Sequence, residues 1–316
     1  MKSRNNLFKK KILIFSLISI LITIGIFVFS TKKAKAATEF VSSIQQSGGD
    51  YSTLSSWEAA AQSDISATST AVYSGTKTGT LSQGDTLELF RGGTYQNATS
   101  TFIADTSAGQ LLVSNIYPLA TSTLQANDQW RLASSTDNMW TVTGSGTDLG
   151  DRPIVVAQID GSWTAADTTA VTIDGWTTDA NHYIKVYTTA TARHNGIYTG
   201  DGGKSTAYRL AVANAQGIVY REAHVRIDGL QIEITSASGD AQGPIYSGGT
   251  FVAGDRLDVS NCILKGHGNT DYYEAGIDSA NNITRYTWNT IIYNISLNAN
   301  SVGIDARYLD YIYNCT

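Results

Sequence analysis

Apolar and polar residues alternate in the C-terminal part of the chain, and the alternation changes phase at a glycine. Before Gly229 the apolar residues are Val225 and Ile227, whereas after it they are Leu230 and Ile232. Successive side chains of a strand point to opposite faces, so this pattern predicts two strands with a bend at Gly229. Glycine and asparagine adopt a positive φ at the least cost, and they suit the apex of such a bend.

The same bend recurs along the chain. Four segments that contain it align at Gly229, Asn261, Asn289 and Asn314, which are separated by 32, 28 and 25 residues. A period of this size, built on short strands, predicts a solenoid in which each repeat buries its apolar face on its neighbours. An antiparallel sandwich of short strands is the alternative, because it also gives a turn signal about every 8–12 residues.

A second set of glycines keeps step with the first. Gly217, Gly249, Gly276 and Gly303 each precede a bend by 11 to 13 residues. Each repeat is therefore predicted to hold a strand that opens after a glycine, a turn, a second strand, the bend and a third strand. An antiparallel sandwich does not require the bends and the preceding glycines to recur at matching intervals. Their joint recurrence therefore favours the solenoid. Residues 171–176 repeat the pattern of residues 225–230 and are predicted to lie two coils earlier.

This arrangement resembles the right-handed parallel β-helix proteins, the pectate-lyase-like group of secreted polysaccharide-active and surface proteins. The resemblance covers residues 217–316, and residues 84–95 look like the first coil of such a protein. It implies an all-β fold, a right-handed parallel β-helix solenoid. It also implies a ladder of stacked side chains at the bends, formed by Asn261, Asn289 and Asn314, with Gly229 in the equivalent place.

Residues 1–36 combine a basic start, an almost wholly apolar run over residues 12–29 and the tripeptide Ala34-Lys35-Ala36. This is the form of a secretory signal peptide. The apolar run also reaches the roughly 18 residues of a membrane-spanning helix, so an uncleaved N-terminal anchor is the alternative. The rest of the chain is expected outside the cytoplasm, secreted or at the cell surface, and to meet a membrane only through this segment.

Residues 37–80 are predicted to form an N-terminal cap region and residues 81–316 the β-helix. A short capping helix is expected within residues 51–64, because Ser55 and Glu58 have the spacing of a capping box and the open end of a β-helix needs a cover. Residues 96–170 lack the period and are predicted as an irregular β insertion, with irregular early coils of the β-helix as the alternative. Since Thr316 falls inside a predicted strand, the sequence is expected to be a truncated form of a longer protein.

The charge balance excludes one class of partner. Without residues 1–36 the chain keeps 14 Lys and Arg residues against 27 Asp and Glu residues. A chain this acidic has no long-range attraction for DNA or RNA, and nucleic acid is excluded as a partner. The same balance disfavours densely charged acidic glycans unless a cation bridges them to the protein.

Asp278 and Asp305 occupy one place in two successive repeats, each at the end of a Gly-Ile-Asp tripeptide. Adjacent strands lie about 5 Å apart, so the two carboxylates are expected side by side on an outer sheet, with Arg307 on the same face. Such carboxylates repel unless a proton or a hard cation such as Ca²⁺ lies between them. These three residues are the candidate catalytic site, and the two aspartates are the candidate Ca²⁺ ligands. The alternative is that both aspartates are solvated or cap local turns.

Two functions are compatible with these features. The first, which we favour, is a binding or structural module, adhesin-like or glycan-binding, with carbohydrate or another cell-surface component as partner. The second is a polysaccharide lyase or glycoside hydrolase, which needs an acid/base pair or a Ca²⁺ site with a base. Residues 266–271 contain two triplets similar to polygalacturonase motifs, but they are contiguous and in reversed order, so His267 receives no catalytic role.

Overall fold

The computed structural model describes residues 38–117, 124–133, 135–143, 152–236, 243–268, 275–278, 282–295, 301–306 and 309–316. Within these ranges the chain is mostly β-strand, with one α-helix, α1 (Leu54–Ala61), and a short 3₁₀ turn at Thr199–Asp201. Neither helical segment of the described ranges is long and apolar enough to cross a membrane. The strands are β1 (Thr38–Ile44), β2 (Ala71–Lys77), β3 (Thr86–Arg91), β4 (Thr94–Asp105), β5 (Gln110–Tyr117), β6 (Gln129–Leu132), β7 (Asn138–Val142), β8 (Pro153–Ile159), β9 (Val171–Ile173), β10 (Ile184–Thr188), β11 (Leu210–Ala213), β12 (Ile218–Tyr220), β13 (Val225–Asp228), β14 (Gln231–Ser236), β15 (Ile245–Ser247), β16 (Asp255–Ser260), β17 (Ile263–Lys265), β18 (Ala275–Ile277), β19 (Ile283–Trp288), β20 (Ile291–Tyr293), β21 (Val302–Ile304) and β22 (Leu309–Tyr313).

Three parallel sheets hold most of the strands. The seven-stranded sheet has the order β1-β8-β10-β13-β16-β19-β22, the four-stranded sheet β11-β14-β17-β20, and the five-stranded sheet β9-β12-β15-β18-β21. From β12 onward, successive strands belong in turn to the five-stranded, the seven-stranded and the four-stranded sheet, and this order repeats. Each strand pairs in parallel with the strand one repeat later. This all-β architecture with long parallel sheets is compatible with a β-helix.

Apolar side chains stack in register along the repeats. Val225 lies opposite Leu257 and Ile227 opposite Val259, and all four are buried. Their counterparts after the bend continue the same core on the four-stranded sheet. The alternation read from the sequence therefore corresponds to one buried face, with the change of phase at the bend as predicted.

The prediction that a strand opens after each of the four glycines that precede the bends is only partly right. Ile218, Ile277 and Ile304 align across the five-stranded sheet, but their counterpart in the second repeat is Ile245 and not a residue beside Gly249. Strand β9 also belongs to this sheet, where it pairs with β12. Residues 171–176 therefore do not align with residues 225–230 as predicted, because the local alternation of a strand does not reveal which sheet it joins.

Strands β2 to β7 form a closed antiparallel barrel in the order β2-β5-β4-β3-β6-β7. The barrel has its own core, in which the ring of Tyr73 stacks on that of Trp130 with centroids 5.8 Å apart. It spans residues 71–142, so the β insertion predicted at 96–170 begins and ends too late. The first coil predicted at 84–95 is wrong, because β3 and β4 pair antiparallel there as a hairpin.

The parallel region begins before the barrel and not at residue 81 as predicted, because β1 pairs in parallel with β8. The other edge of β1 is covered by Gln110 of the barrel. The side-chain oxygen of Gln110 accepts a hydrogen bond from the Val41 N–H at 2.8 Å, and its amide nitrogen donates to the Glu39 carbonyl at 2.8 Å. These are groups that a neighbouring strand would satisfy, so Gln110 closes an edge otherwise open to another chain.

Helix α1 begins at a different capping box from the predicted one. Thr53 Oγ1 accepts a hydrogen bond from the Ser56 N–H at 3.1 Å, and Ser56 Oγ accepts one from the Thr53 N–H at 3.3 Å. Glu58 is instead buried, and its Oε1 accepts hydrogen bonds from the Trp176 indole at 3.2 Å and the Asp174 N–H at 3.1 Å. Through these hydrogen bonds Glu58 connects the helix to the loop after β9.

Candidate functional site

The structure brings the two aspartates selected from the sequence together. Ile277 and Ile304 are register partners in the five-stranded sheet, and Asp278 and Asp305 directly follow them. Asp278 is buried, however, with 6 % of its surface exposed, so it does not lie on an open outer face. Asp305 is half-buried, and its carbonyl oxygen accepts a hydrogen bond from Arg285 at 3.0 Å. Arg307 lies outside the described residues.

The two aspartates of the expected Ca²⁺ site have no third acidic side chain beside them in the described part of the chain. Within it, no group of three or more His, Cys, Asp or Glu side chains is placed to hold a metal ion. Two carboxylates fall well short of the six to eight oxygen ligands that Ca²⁺ takes.

The bend residues are connected side chain to side chain. Asn314 Nδ2 donates to Asn289 Oδ1 at 2.8 Å, Asn289 Nδ2 to Asn261 Oδ1 at 3.2 Å, and Asn261 Nδ2 to Asp228 Oδ1 at 2.5 Å. All three asparagines have φ near 50°, and Gly229 has φ 80°. Gly229 has no side chain to contribute, and Asp228 takes its place at the end of the row. These residues hold neighbouring repeats together at the bend.

The outward face of the seven-stranded sheet carries a different group of side chains. Lys185, Arg226, Asp258, Tyr286 and Tyr311 occupy one register row across five successive strands. Neighbours in such a row lie about 4.8 Å apart. The row alternates with the buried apolar residues of the same strands, and its polar and aromatic side chains therefore project from the sheet as a continuous strip.

Two arginines of this face share one buried carboxylate. Asp258 lies 3.5 Å from Arg226 Nε and 2.7 Å from Arg256 Nε. Each guanidinium also lies over a tyrosine ring, Arg226 at 3.6 Å from the centroid of Tyr183 and Arg256 at 4.3 Å from that of Tyr286. These contacts fix both arginines in place, and two positive charges face one negative charge.

A surface cavity of about 210 Å³ opens between these arginines, lined by Ala180, His224, Arg226, Gly254 and Arg256. His224 directly precedes β13 with φ 53°, a left-handed conformation that only a few per cent of residues other than glycine adopt. Burial, together with the charges of Arg226 and Arg256, lowers the pKa of His224, against the raising influence of Asp255 and Asp179. Its imidazole is therefore neutral at pH 7.

Two tyrosines continue the outward row of side chains on the next two strands of the sheet. The rings of Tyr286 and Tyr311 stack with centroids 4.7 Å apart and an angle of 6° between their planes. We name the set formed by Tyr183, His224, Arg226, Arg256, Asp258, Tyr286 and Tyr311 the arginine–tyrosine face. Guanidinium groups bind carboxylates and sulfates through paired hydrogen bonds, and tyrosine rings pack on the apolar faces of sugars. Chemically, this face suits an acidic sugar within a longer glycan.

The sequence contained a signal for this face that the search for paired acids missed. Counted back from each bend, Arg226, Asp258, Tyr286 and Tyr311 all stand three residues before the bend residue. Because the strands are in register, one repeat position becomes one row. Comparison of the outward positions of the aligned segments would have found it.

Comparisons of the chain with protein-family models, with curated proteins and with solved structures found no match.

Proposed function

We propose that this chain is a right-handed parallel β-helix protein of the pectate-lyase-like kind that binds glycan on the arginine–tyrosine face. Successive strands belong to the three parallel sheets in a repeating order, and each strand pairs with the strand one repeat later. This order supports the solenoid. Helix α1 packs on β1 and β9, the first strands of two of the sheets, which supports a capping role for it.

The proposed location is outside the cytoplasm, either secreted or at the cell surface. The basic start, apolar run and small residues of positions 1–36 support export. An N-terminal membrane anchor formed by the same segment is the alternative. A protein in either place meets the polysaccharides of cell surfaces directly.

The proposed ligand is a glycan with isolated acidic sugars in an otherwise neutral chain. The observation that carries this proposal is the pair of arginines that line one cavity, each with its guanidinium group over a tyrosine ring. A dense polyanion would be repelled by the excess of acidic residues over the whole chain. A single carboxylate or sulfate meets a local group in which the two guanidinium groups of Arg226 and Arg256 face the one carboxylate of Asp258.

Titration calorimetry with two matched tetrasaccharides, one containing a single glucuronate and one wholly neutral, tests this proposal. Arg226→Ala should weaken binding of the acidic tetrasaccharide about tenfold or more, since a hydrogen bond to a charged group contributes about 1.5–3 kcal/mol. Arg256→Lys keeps the charge but loses the paired geometry, and we expect it to weaken binding as well. Arg221→Ala is the control, because Arg221 pairs with Asp174 away from this face. Equal affinity of the parent protein and both face variants would contradict the proposal.

One observation supports a lyase as a second candidate function, namely that His224 lines the same cavity as the two guanidinium groups of Arg226 and Arg256. The arginines would neutralise the carboxylate of a bound uronate, and His224 would accept the proton from C5. As that proton leaves, the C4–O bond breaks, a C4=C5 double bond forms, and the departing oxygen takes a proton from water. His224→Asn tolerates the positive φ and should abolish the unsaturated product, detected by its ultraviolet absorbance, while binding persists. Absence of any unsaturated product from the parent protein would remove this candidate.

A further inference from the structure

A second, larger cavity of about 770 Å³ lies where the antiparallel barrel meets the parallel sheets. Its walls include Asp50 and Tyr51 from the segment after β1, Lys77 from the end of β2, and residues 105–109 from the β4–β5 connection. We name it the seam cavity. Its volume falls within the range of about 300–1,000 Å³ that is usual for small-ligand sites.

The carboxylate of Asp50 fixes the two walls of the seam cavity to each other. Asp50 Oδ2 accepts hydrogen bonds from the Ser43 N–H at 2.7 Å and the Ser43 hydroxyl at 2.9 Å. Asp50 Oδ1 accepts one from the Ser107 N–H of the barrel at 2.6 Å. Because both oxygens are held by protein donors, the cavity is formed before any ligand arrives.

The charges in the seam cavity disfavour both cationic and anionic ligands. Lys77 Nζ lies 2.8 Å from Asp105, so this carboxylate already has a cation. Both oxygens of Asp50 are engaged by backbone and hydroxyl donors, which leaves neither aspartate bare for a metal ion or an organic cation. An anion would meet two carboxylates against one ammonium group, which is unfavourable.

The remaining lining is uncharged and polar. Thr76, Thr106, Ser107 and the peptide groups of Gly75 and Gly109 line the seam cavity. Burial, followed by the nearby charges of Asp50 and Asp105, raises the pKa of Tyr51 to about 12. Its phenol therefore keeps its proton over the ordinary pH range and can donate a hydrogen bond, and its ring is the one aromatic group in the lining given above. Hydroxyl donors and acceptors beside one ring are the groups that a neutral sugar uses.

We propose that the seam cavity binds a neutral sugar segment, so that the chain has two distinct glycan contacts. Tyr51 is partly buried against the main core, and the part of its ring that lines the cavity packs on the sugar, while the threonine and serine hydroxyls exchange hydrogen bonds with it. This site is separate from the arginine–tyrosine face, and neither site requires the other.

The test uses the full chain with cellotetraose, xylotetraose and maltotetraose as probes, followed by ligand-observed NMR and calorimetry. We expect saturable binding of at least one of them. Ala108 is exposed on the β4–β5 connection and lines the cavity, so Ala108→Trp should fill the cavity and abolish binding. Tyr51→Phe keeps the ring but removes the donor, and should weaken binding about three- to tenfold. Ile197→Trp, at another exposed position, is the control for an added tryptophan.

The outcomes separate this site from the proposed function. Arg226→Ala should leave neutral-sugar binding unchanged, and Ala108→Trp should leave acidic-sugar binding unchanged. The proposal is overturned if none of the three neutral probes binds saturably, or if Ala108→Trp binds them as well as the parent protein does. Loss of neutral-sugar binding in Ile197→Trp would also overturn it.

Discussion

Arg285 and Asp310 form an ion pair inside the core, with Arg285 Nη2 2.7 Å from Asp310 Oδ1. They occupy the inward row that Val225 and Leu257 hold in the preceding repeats. The Arg285 side chain is fully buried, and its Nε and Nη1 have no hydrogen-bond partner among the described residues. The last two described strands of the seven-stranded sheet therefore carry charge where the earlier strands carry aliphatic side chains.

Removal of one member of this pair should be more harmful than removal of both. Arg285→Leu leaves the Asp310 carboxylate in the core without its cation, and we expect a loss of about 3–5 kcal/mol in the free energy of unfolding. The double variant Arg285→Leu/Asp310→Leu should recover most of that loss, because two packed leucines need no charged partner. Urea unfolding of the two variants and the parent measures the difference. Equal stability of the single and double variants would contradict this account.

The row of bend asparagines makes a second prediction. Asn289→Ala loses hydrogen bonds to Asn261 and Asn314 and places alanine at φ 51°, so we expect a loss of about 2–4 kcal/mol in unfolding free energy. Asn289→Gly keeps the backbone conformation and should cost less. Asn282→Ala is the matched control, since Asn282 has φ 68° and lies outside this row. If Asn282→Ala is as damaging as Asn289→Ala in urea unfolding, the side-chain row contributes nothing.

The stability of the chain should fall in acid in a way that depends on Asp228. Burial raises the pKa of Asp228, but hydrogen bonds from Asn261, Ser260 and Arg193 outweigh burial and hold it below its ordinary value. Its contribution to stability is therefore complete above the unfolded pKa of about 3.9, and is lost as the pH falls through the lower pKa of the folded state. The dependence of unfolding free energy on pH between about 2 and 5 should be shallower in Asp228→Asn. Identical slopes in variant and parent would show that Asp228 is not responsible.

Binding of the acidic tetrasaccharide should strengthen as the pH falls from about 7 to 5. His224 has a lowered pKa, so it is neutral at pH 7 and gains a proton only below its ordinary value of about 6.5. Protonation adds a third positive charge beside Arg226 and Arg256, while the glucuronate remains ionised. Calorimetry across this range should show the increase in the parent and a flat profile in His224→Asn. A flat profile in the parent would indicate that the imidazole does not face the bound acid.

The bends and the inward core could be predicted from the sequence, because the change of phase at Gly229 and Asn261 depends on a few local residues. The pairing of β15 could not be predicted, because Gly249 precedes a bend at about the same distance as the glycines that do open strands. The residue that pairs in this sheet is instead Ile245. The barrel was also missed, because a strand such as β3 alternates in the same way whether its partner is parallel or antiparallel. Arg285 was unpredictable for another reason: its burial depends on a partner in the next repeat.

The contact between Gln110 and β1 has a consequence for the order of folding. Val41 and its acceptor on Gln110 are 69 residues apart in sequence. Three strands of the barrel, β2 to β4, lie between them in the sequence. Contacts between such distant residues form late, because closure of the intervening loop is costly in entropy. We therefore expect β1 to complete its edge contacts only after the barrel strands have closed, although it precedes them in the sequence.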